Sequence, residues 1–261
     1  MHETPQSQEP RLRRQFEWAA KYFTIGSLED FADWWKPDAQ PSPHAKPLVL
    51  FTFDDGRESN YHVAAPLLEE FGGRGVFFVV PAFAQTAGTE RALAFYRTRI
   101  NPEFRSENEA DEDWKPMSPR HVEALANRGH AIGNHTFTHE RMVKLSALDL
   151  DREIGDSART LASWTGKPVD AFAWTFGWDA IDIPAWQAIQ RHHRFCFSPC
   201  PGIIDLHRDH PSLLWRREIE TRYSAAELRF SYSGLADLWW ARRRRRLRSL
   251  LAPAPAPAPL Q

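Results

Sequence analysis

The apolar residues of this chain gather in short unbroken runs: "LVLF" at 48–51, "VFFVV" at 76–80, "AFAW" at 171–174 and "FCF" at 195–197. Runs of this length that do not alternate with polar residues predict strands buried on both faces. "HAIGNH", 130–135, predicts a further short strand that runs into a loop. Between these runs the spacing turns helical, in "NYHVAAPLLEEFGGRG", "SPRHVEALANRG", "SALDLDREIGDSARTLASWTG" and "PAWQAIQRHHR". Ser118, Pro119 and Gly129 are start and stop signals for the second of these helices. Strands alternating with helices at this spacing imply a parallel sheet, either doubly wound or a (β/α) barrel. Both architectures place their ligands at the carboxyl ends of the strands.

The flanks depart from this rhythm. "RLRRQFEWAAKYF" and "SLEDFADWW" predict two N-terminal helices, the second capped by Ser27 with Asp30 at its third position, and a proline-rich connector follows. Residues 1–46 therefore precede a main unit at 47–240, and 241–261 form a basic, then Ala-Pro-rich tail expected to be disordered. Residues 81–117 are a long irregular insertion, acidic from Glu103 to Asp113, of a length that suits a lid or a solvated loop.

Composition narrows the choices. Net charge is −1, but six arginines cluster at 242–248, so the rest of the chain is acidic and nucleic acid is not an expected partner. The same cluster, next to Trp239 and Trp240, suggests peripheral contact with an anionic membrane. Two cysteines, Cys196 and Cys200, cannot build a disulfide framework, and buried thiols in a reducing compartment are expected. With no apolar stretch of spanning length and no apolar leader, the chain reads as cytoplasmic, at most peripheral at the membrane's inner face.

The chemistry begins where the first buried run opens onto Asp54, Asp55 and Gly56. Two adjacent carboxylates raise one another's pKa, and burial adds to the cost, so a bound cation is the expected remedy. "GNHTFTHE" supplies His135 and His139, four apart, just after a strand-like segment of the same sheet. One carboxylate and two imidazoles make a facial ligand set with open positions, suited to Zn²⁺ or another divalent transition ion.

"TFDDG" followed by "HTFTH", with "GGRGVFFVV" and "RGHAIGNH" between and "VDAFAWTFG" after, resembles the NodB-type polysaccharide deacetylases, carbohydrate esterase family four. The resemblance spans roughly residues 46–200 and implies a distorted (β/α) barrel with fewer than eight regular strands. It implies Asp55, His135 and His139 as metal ligands and Asp54 as the general base. It also implies a backbone N–H near Phe176 that holds the oxyanion, and an acetylated glycan as substrate. Trp178 is the tryptophan expected at the sugar, ahead of Trp114 and Trp174.

The chain also departs from that family. Ala173 stands where many members carry an arginine that orients the base, so Asp54 must find another cation or none. No clear counterpart exists for the late histidine that serves as general acid. "GIIDLHRDH" offers His207 and His210, but early in the chain for that role, so reuse of protonated Asp54 is the favoured route. The "RHHR" at 191–194 is explained by cations at a helix C-terminus. The expected activity is N-deacetylation of an amino sugar in exopolysaccharide assembly. Its rivals are hydrolysis of a small cyclic amide or an O-acetyl ester on the same fold, and a catalytically silent glycan-binding protein.

Overall fold

The computed structural model describes residues 1–36, 46–104 and 112–251. Most of the proline-rich connector, part of the acidic stretch and the Ala-Pro repeat lie outside the described residues. The principal sheet is parallel and runs β3 (Thr52–Phe53), β4 (Val76–Val79), β5 (Ala131–Asn134), β6 (Ala171–Ala173), β7 (Phe195–Phe197). Strand order equals chain order, with none of the reversal that defines a doubly wound sheet. The sheet curls into a half-barrel, the distorted (β/α) barrel expected from the sequence. Leu214 extends it by a parallel bridge to Phe197.

"LVLFTF" does not form one strand. Leu48–Val49 (β2) pairs with Thr24–Ile25 (β1), and Thr52–Phe53 leaves this small sheet to pair with β4. The break at Leu50–Phe51 lets one run serve two sheets, and it ties the N-terminal helices to the barrel. Leu12, Phe16 and Ala19 of the helix Glu9–Tyr22 pack fully buried among Phe53, Leu68 and Phe77. Ser27 and Asp30 form the expected capping box at the start of Leu28–Asp33. Close packing under β5 depends on Gly133, where a Cβ would come within 2.3 Å of the Phe78 ring.

The long helix 147–165 is interrupted by a π turn at Asp151–Asp156, and another π turn, Asn60–Ala64, opens the helix that ends at Glu70. Such turns are frequent near functional sites. The first of them bears on the site described below.

The C-terminal expectation needs correction. Arg242–Arg248 lie within a helix, Asp237–Leu251, rather than in a disordered tail. Leu247 and Leu251 are buried, Arg248 pairs with Asp209 at 2.6 Å, and Arg244 donates to the Pro201 carbonyl at 2.6 Å. These contacts anchor a face that the row of arginines hides in sequence. Among the described residues no helix is long and apolar enough to cross a membrane. Cys196 and Cys200 are buried free thiols, both pushed up by burial.

Two core histidines couple the fold to pH. His193, the second histidine of "RHHR", is a buried neutral ring rather than a helix-end cation. Its Nδ1 donates to the Val169 carbonyl at 2.8 Å, and its Nε2 accepts from Asn134 at 3.0 Å. His130 accepts from the Gly75 N–H through Nδ1 and donates to Glu69 through Nε2. Burial pulls both down to about 4. The unfolded chain therefore binds more protons between about pH 6.5 and 4, and stability falls as pH falls through that window. Each histidine costs about 2 kcal/mol by pH 5. The urea midpoint should drop from pH 7.5 to 5, and His193→Gln should remove about a third of that drop, because buried His135 is pulled down to about 4 as well. An unchanged pH dependence in the variant would refute the assignment.

Candidate active site

Asp54 and Asp55 leave the carboxyl end of β3, His135 that of β5 and Trp174–Phe176 that of β6, so the curl of the sheet aims them at one cavity of about 430 Å³. Asp55 adopts φ 72°, and Thr136, His139 and Phe176 also lie at positive φ. Three of these residues line the cavity and Thr136 follows His135 in the chain, which marks a site where geometry is held against local preference.

Asp55 Oδ1 lies 3.6 Å from Nε2 of His135 and 3.6 Å from Nε2 of His139. In each ring the far nitrogen is pinned. His135 Nδ1 donates to the Ala173 carbonyl at 2.9 Å and His139 Nδ1 to the Arg99 carbonyl at 2.7 Å, which turns both Nε2 lone pairs toward Asp55. The second oxygen of Asp55 is held by buried Arg57 at 3.2 Å, leaving Oδ1 facing the imidazoles. Burial lowers His135 to about 4, so the ring is neutral, as a ligand must be. On Asp55 burial alone would act upward, but His2, Arg57 and the two imidazoles hold its pKa below the ordinary carboxylate value.

A sequence profile described as polysaccharide deacetylase matches residues 42–192, more than half of the chain. The chain belongs to the polysaccharide deacetylase family. Members of this family are metal-dependent hydrolases acting on carbon–nitrogen bonds other than peptide bonds. No curated protein matches the chain. Among solved structures, it is similar to a Bacillus cereus polysaccharide deacetylase at 18% identity and TM-score 0.63, over 85% of this chain and 61% of that one. The deacetylase PplD of Streptococcus pyogenes, solved with acetate, matches at 17% and 0.67, covering 85% and 86%. IcaB of Ammonifex degensii matches at 16% and 0.60, covering 84% and 89%. The chain thus spans about three fifths of the Bacillus cereus protein and most of the other two.

This donor set fits a divalent ion. Ligand atoms bonded tetrahedrally at about 2.1 Å stand roughly 3.4 Å apart, close to the separations here. A second group, Glu58, His62 and His121, also brings three donor atoms together, but at the surface and away from the cavity.

Asp54 stands beside this set without joining it. Its Oδ1 accepts from Arg216 Nη1 at 2.6 Å, and the guanidinium lies over the Phe78 ring. Burial pushes the Asp54 pKa up, but Arg216, His135 and His2 outweigh it and hold the carboxyl well below its usual range. The orienting cation that Ala173 cannot supply therefore comes from 43 residues further along the chain, just past the Leu214 bridge. Sequence reasoning missed it, because no motif surrounds Arg216.

It missed two more residues. His2 lines the cavity, its Nε2 3.6 Å from Asp54 and its Nδ1 3.5 Å from Glu218. Met1 brings it there by pairing with β3: its N–H group donates to Thr52 O, and its carbonyl accepts from Asp54 N. Glu153, on the π turn, takes the Thr138 N–H at 2.9 Å and hydroxyl at 2.8 Å, clamping the loop between the two histidines. We expect Glu153→Ala to weaken metal binding about 10-fold or more, with far-ultraviolet circular dichroism unchanged. Unaltered affinity in a metal-buffer titration would show that the clamp is dispensable.

Other expectations fare differently. Phe176 lines the cavity, 40% exposed, with its ring 5.0 Å from that of His139. Trp174 also lines it but is buried. Trp178 does not reach it: the short turn Trp178–Ala180 carries the indole under Arg243 of the C-terminal helix, 4.7 Å away. Trp114 packs with Phe83 and Tyr96 instead. His207 and His210 lie outside the cavity, in a segment whose Asp209 holds Trp215 and Arg248. The insertion contributes Ile100 and Asn101 to the wall and the Arg99 carbonyl to His139.

Proposed function

We propose that the protein is a metal-dependent deacetylase that hydrolyses N-acetyl groups of an amino sugar within a glycan, during exopolysaccharide assembly. The observation that carries this is the division between the adjacent acids. Asp55 shares its oxygen with two imidazoles, while Asp54 faces the same cavity paired with Arg216 and beside His2. A binding protein would need the first arrangement but not the second. Acetate in the PplD structure is the product such a reaction releases. Phe176 at the rim offers an aromatic face to a sugar ring, a role that passes to it from Trp178.

A divalent ion, with Zn²⁺ the expected one, would be held by Asp55, His135 and His139, where it acidifies water and polarises the acetyl carbonyl. Asp54, held by Arg216, accepts the proton of the attacking water. The backbone N–H of Phe176 steadies the oxyanion. Collapse of the tetrahedral adduct breaks the C–N bond, and the nitrogen must be protonated as it leaves. Asp54 holds that proton and returns it. The imidazole placed to compete for this role is His2, backed by Glu218, rather than His207.

The test is acetate release by the metal-loaded protein from a panel of N- and O-acetylated glycans. N-acetylated amino-sugar glycans should be cleaved and O-acetyl esters only weakly. Brisk ester cleavage without amide cleavage would make the enzyme an O-deacetylase, and no release from any glycan would overturn the reading. Within the same assay His207→Ala should leave amide hydrolysis nearly intact. A loss of ~10²-fold on amides in His2→Ala, with esters spared, would make His2 the acid in place of Asp54.

A further inference from the structure

A second cavity, of about 410 Å³, shares Met1, Thr52, Arg216 and Arg217 with the catalytic one. It occupies the gap left where the half-barrel fails to close. Thr52 lines it from the first strand of the sheet and Phe197 from the last, with Leu48 and Leu50 of the run ahead of β3 and Phe31, Ile204 and Leu206 between. Its charged lining residues, Arg216 and Arg217, are already paired with Asp54 and Asp237. Most of what remains is apolar. An apolar cavity of this size is a poor place for water and of no use to a free glycan.

The lining reaches the surface at Ile203, 61% exposed, which packs against the Gly234 turn ahead of the C-terminal helix. Around that turn Leu235, Leu238 and Trp239 are 61%, 75% and 79% exposed, and the Phe230 ring lies 6.5 Å from Trp239. Exposed apolar side chains gathered this way mark an interaction surface. The next turns of the helix present Arg242, Arg245 and Arg246 to solvent. Apolar residues edged by cations match an anionic lipid surface in both chemistry and charge.

We propose that this cavity receives the hydrocarbon tail of a lipid-linked acetylated amino sugar, drawn from an anionic membrane on which the Trp239 patch and its arginines rest. The inference builds on the deacetylase reading and specifies its substrate class. The tail would enter beside Ile203, and the sugar would emerge past Arg216 and Thr52 at the catalytic residues. The residues common to both cavities, Met1, Thr52, Arg216 and Arg217, place the two side by side.

Alkyl β-glycosides of N-acetylglucosamine, from methyl to dodecyl and kept below their micelle concentrations, test it on the metal-loaded protein. Expected is a rise in kcat/KM with tail length, by up to about fourfold per buried methylene, ending when the cavity is full. Ile204→Trp, which fills the cavity, should abolish the rise and leave the methyl glycoside unaffected. Should that variant fail to fold, Ile204→Gln makes the lining polar and should flatten the rise. Equal kcat/KM for methyl and dodecyl in the parent protein overturns the proposal. Binding measured alongside by calorimetry separates the two readings: affinity that grows with tail length but no hydrolysis of any glycoside keeps the tail site and sinks the deacetylase. Sedimentation with phosphatidylcholine vesicles, with and without phosphatidylglycerol, tests the surface. Pelleting should require phosphatidylglycerol and be lost in the triple variant R242Q/R245Q/R246Q, and equal pelleting of parent and variant removes the membrane from the proposal.

Discussion

Asp54→Asn is expected to lower kcat by at least ~10²-fold while the purified protein keeps its metal and its fold. The asparagine keeps the shape of the side chain and can still meet Arg216, but it cannot take a proton. Asp55→Asn should do the reverse at the first step, releasing the metal because the shared Oδ1 loses its charge. Its loss of affinity should exceed the ~10–100-fold usual for removing an outer partner such as Glu153. Metal content and kcat measured together on both variants distinguish the roles. If Asp54→Asn turned over at the parental rate, or if it lost the metal and Asp55→Asn did not, the division between the neighbours would be wrong.

What could be read in the sequence was local. The order of buried runs predicted a parallel α/β sheet, and the two histidines four apart converge because the loop between them folds back through positive φ at Thr136 and His139. The caps at Ser27 and Ser118 formed where short-range chemistry placed them. What could not be read depended on contacts between distant segments. Arg216 meets Asp54 across 162 positions, and Glu153 reaches Thr138 only because a π turn rotates it inward. His2 enters the cavity because residue 1 pairs with β3, a pairing for which two residues carry no pattern. The run at 48–53 looked like one strand because its hydrophobicity is continuous, whereas the split between sheets is a matter of backbone pairing. The C-terminal helix misled in the opposite way: arginines all round it suggested a solvated tail, yet Leu247 and Leu251 suffice to dock it. Trp178 was expected at the sugar from its place in the motif, but the turn after Gly177 carries it to Arg243.

The second large effect is expected at Arg216. It gives Asp54 what Ala173 withholds, a cation 2.6 Å away. Arg216→Met keeps much of the side chain's bulk over Phe78 but leaves Asp54 buried without its strongest partner. Removing one member of a buried pair leaves an uncompensated charge, at a cost of about 3–5 kcal/mol. The carboxyl avoids part of that cost by taking up a proton. Because Arg216 holds the Asp54 pKa down and burial pushes it up, the acidic limb of kcat/KM should move to higher pH in the variant. Above that limb the carboxylate is charged again but no longer aimed, and kcat should stay about 10-fold or more below the parent. Arg216→Lys should recover the position of the limb better than the rate, since an ammonium restores the charge without the planar fork that fixes the carboxylate. Metal content should be unchanged in both variants. A parental acidic limb in Arg216→Met would show that Asp54 owes its ionisation to the site's cation and imidazoles alone, and a parental rate would leave Arg216 with no part in positioning the base.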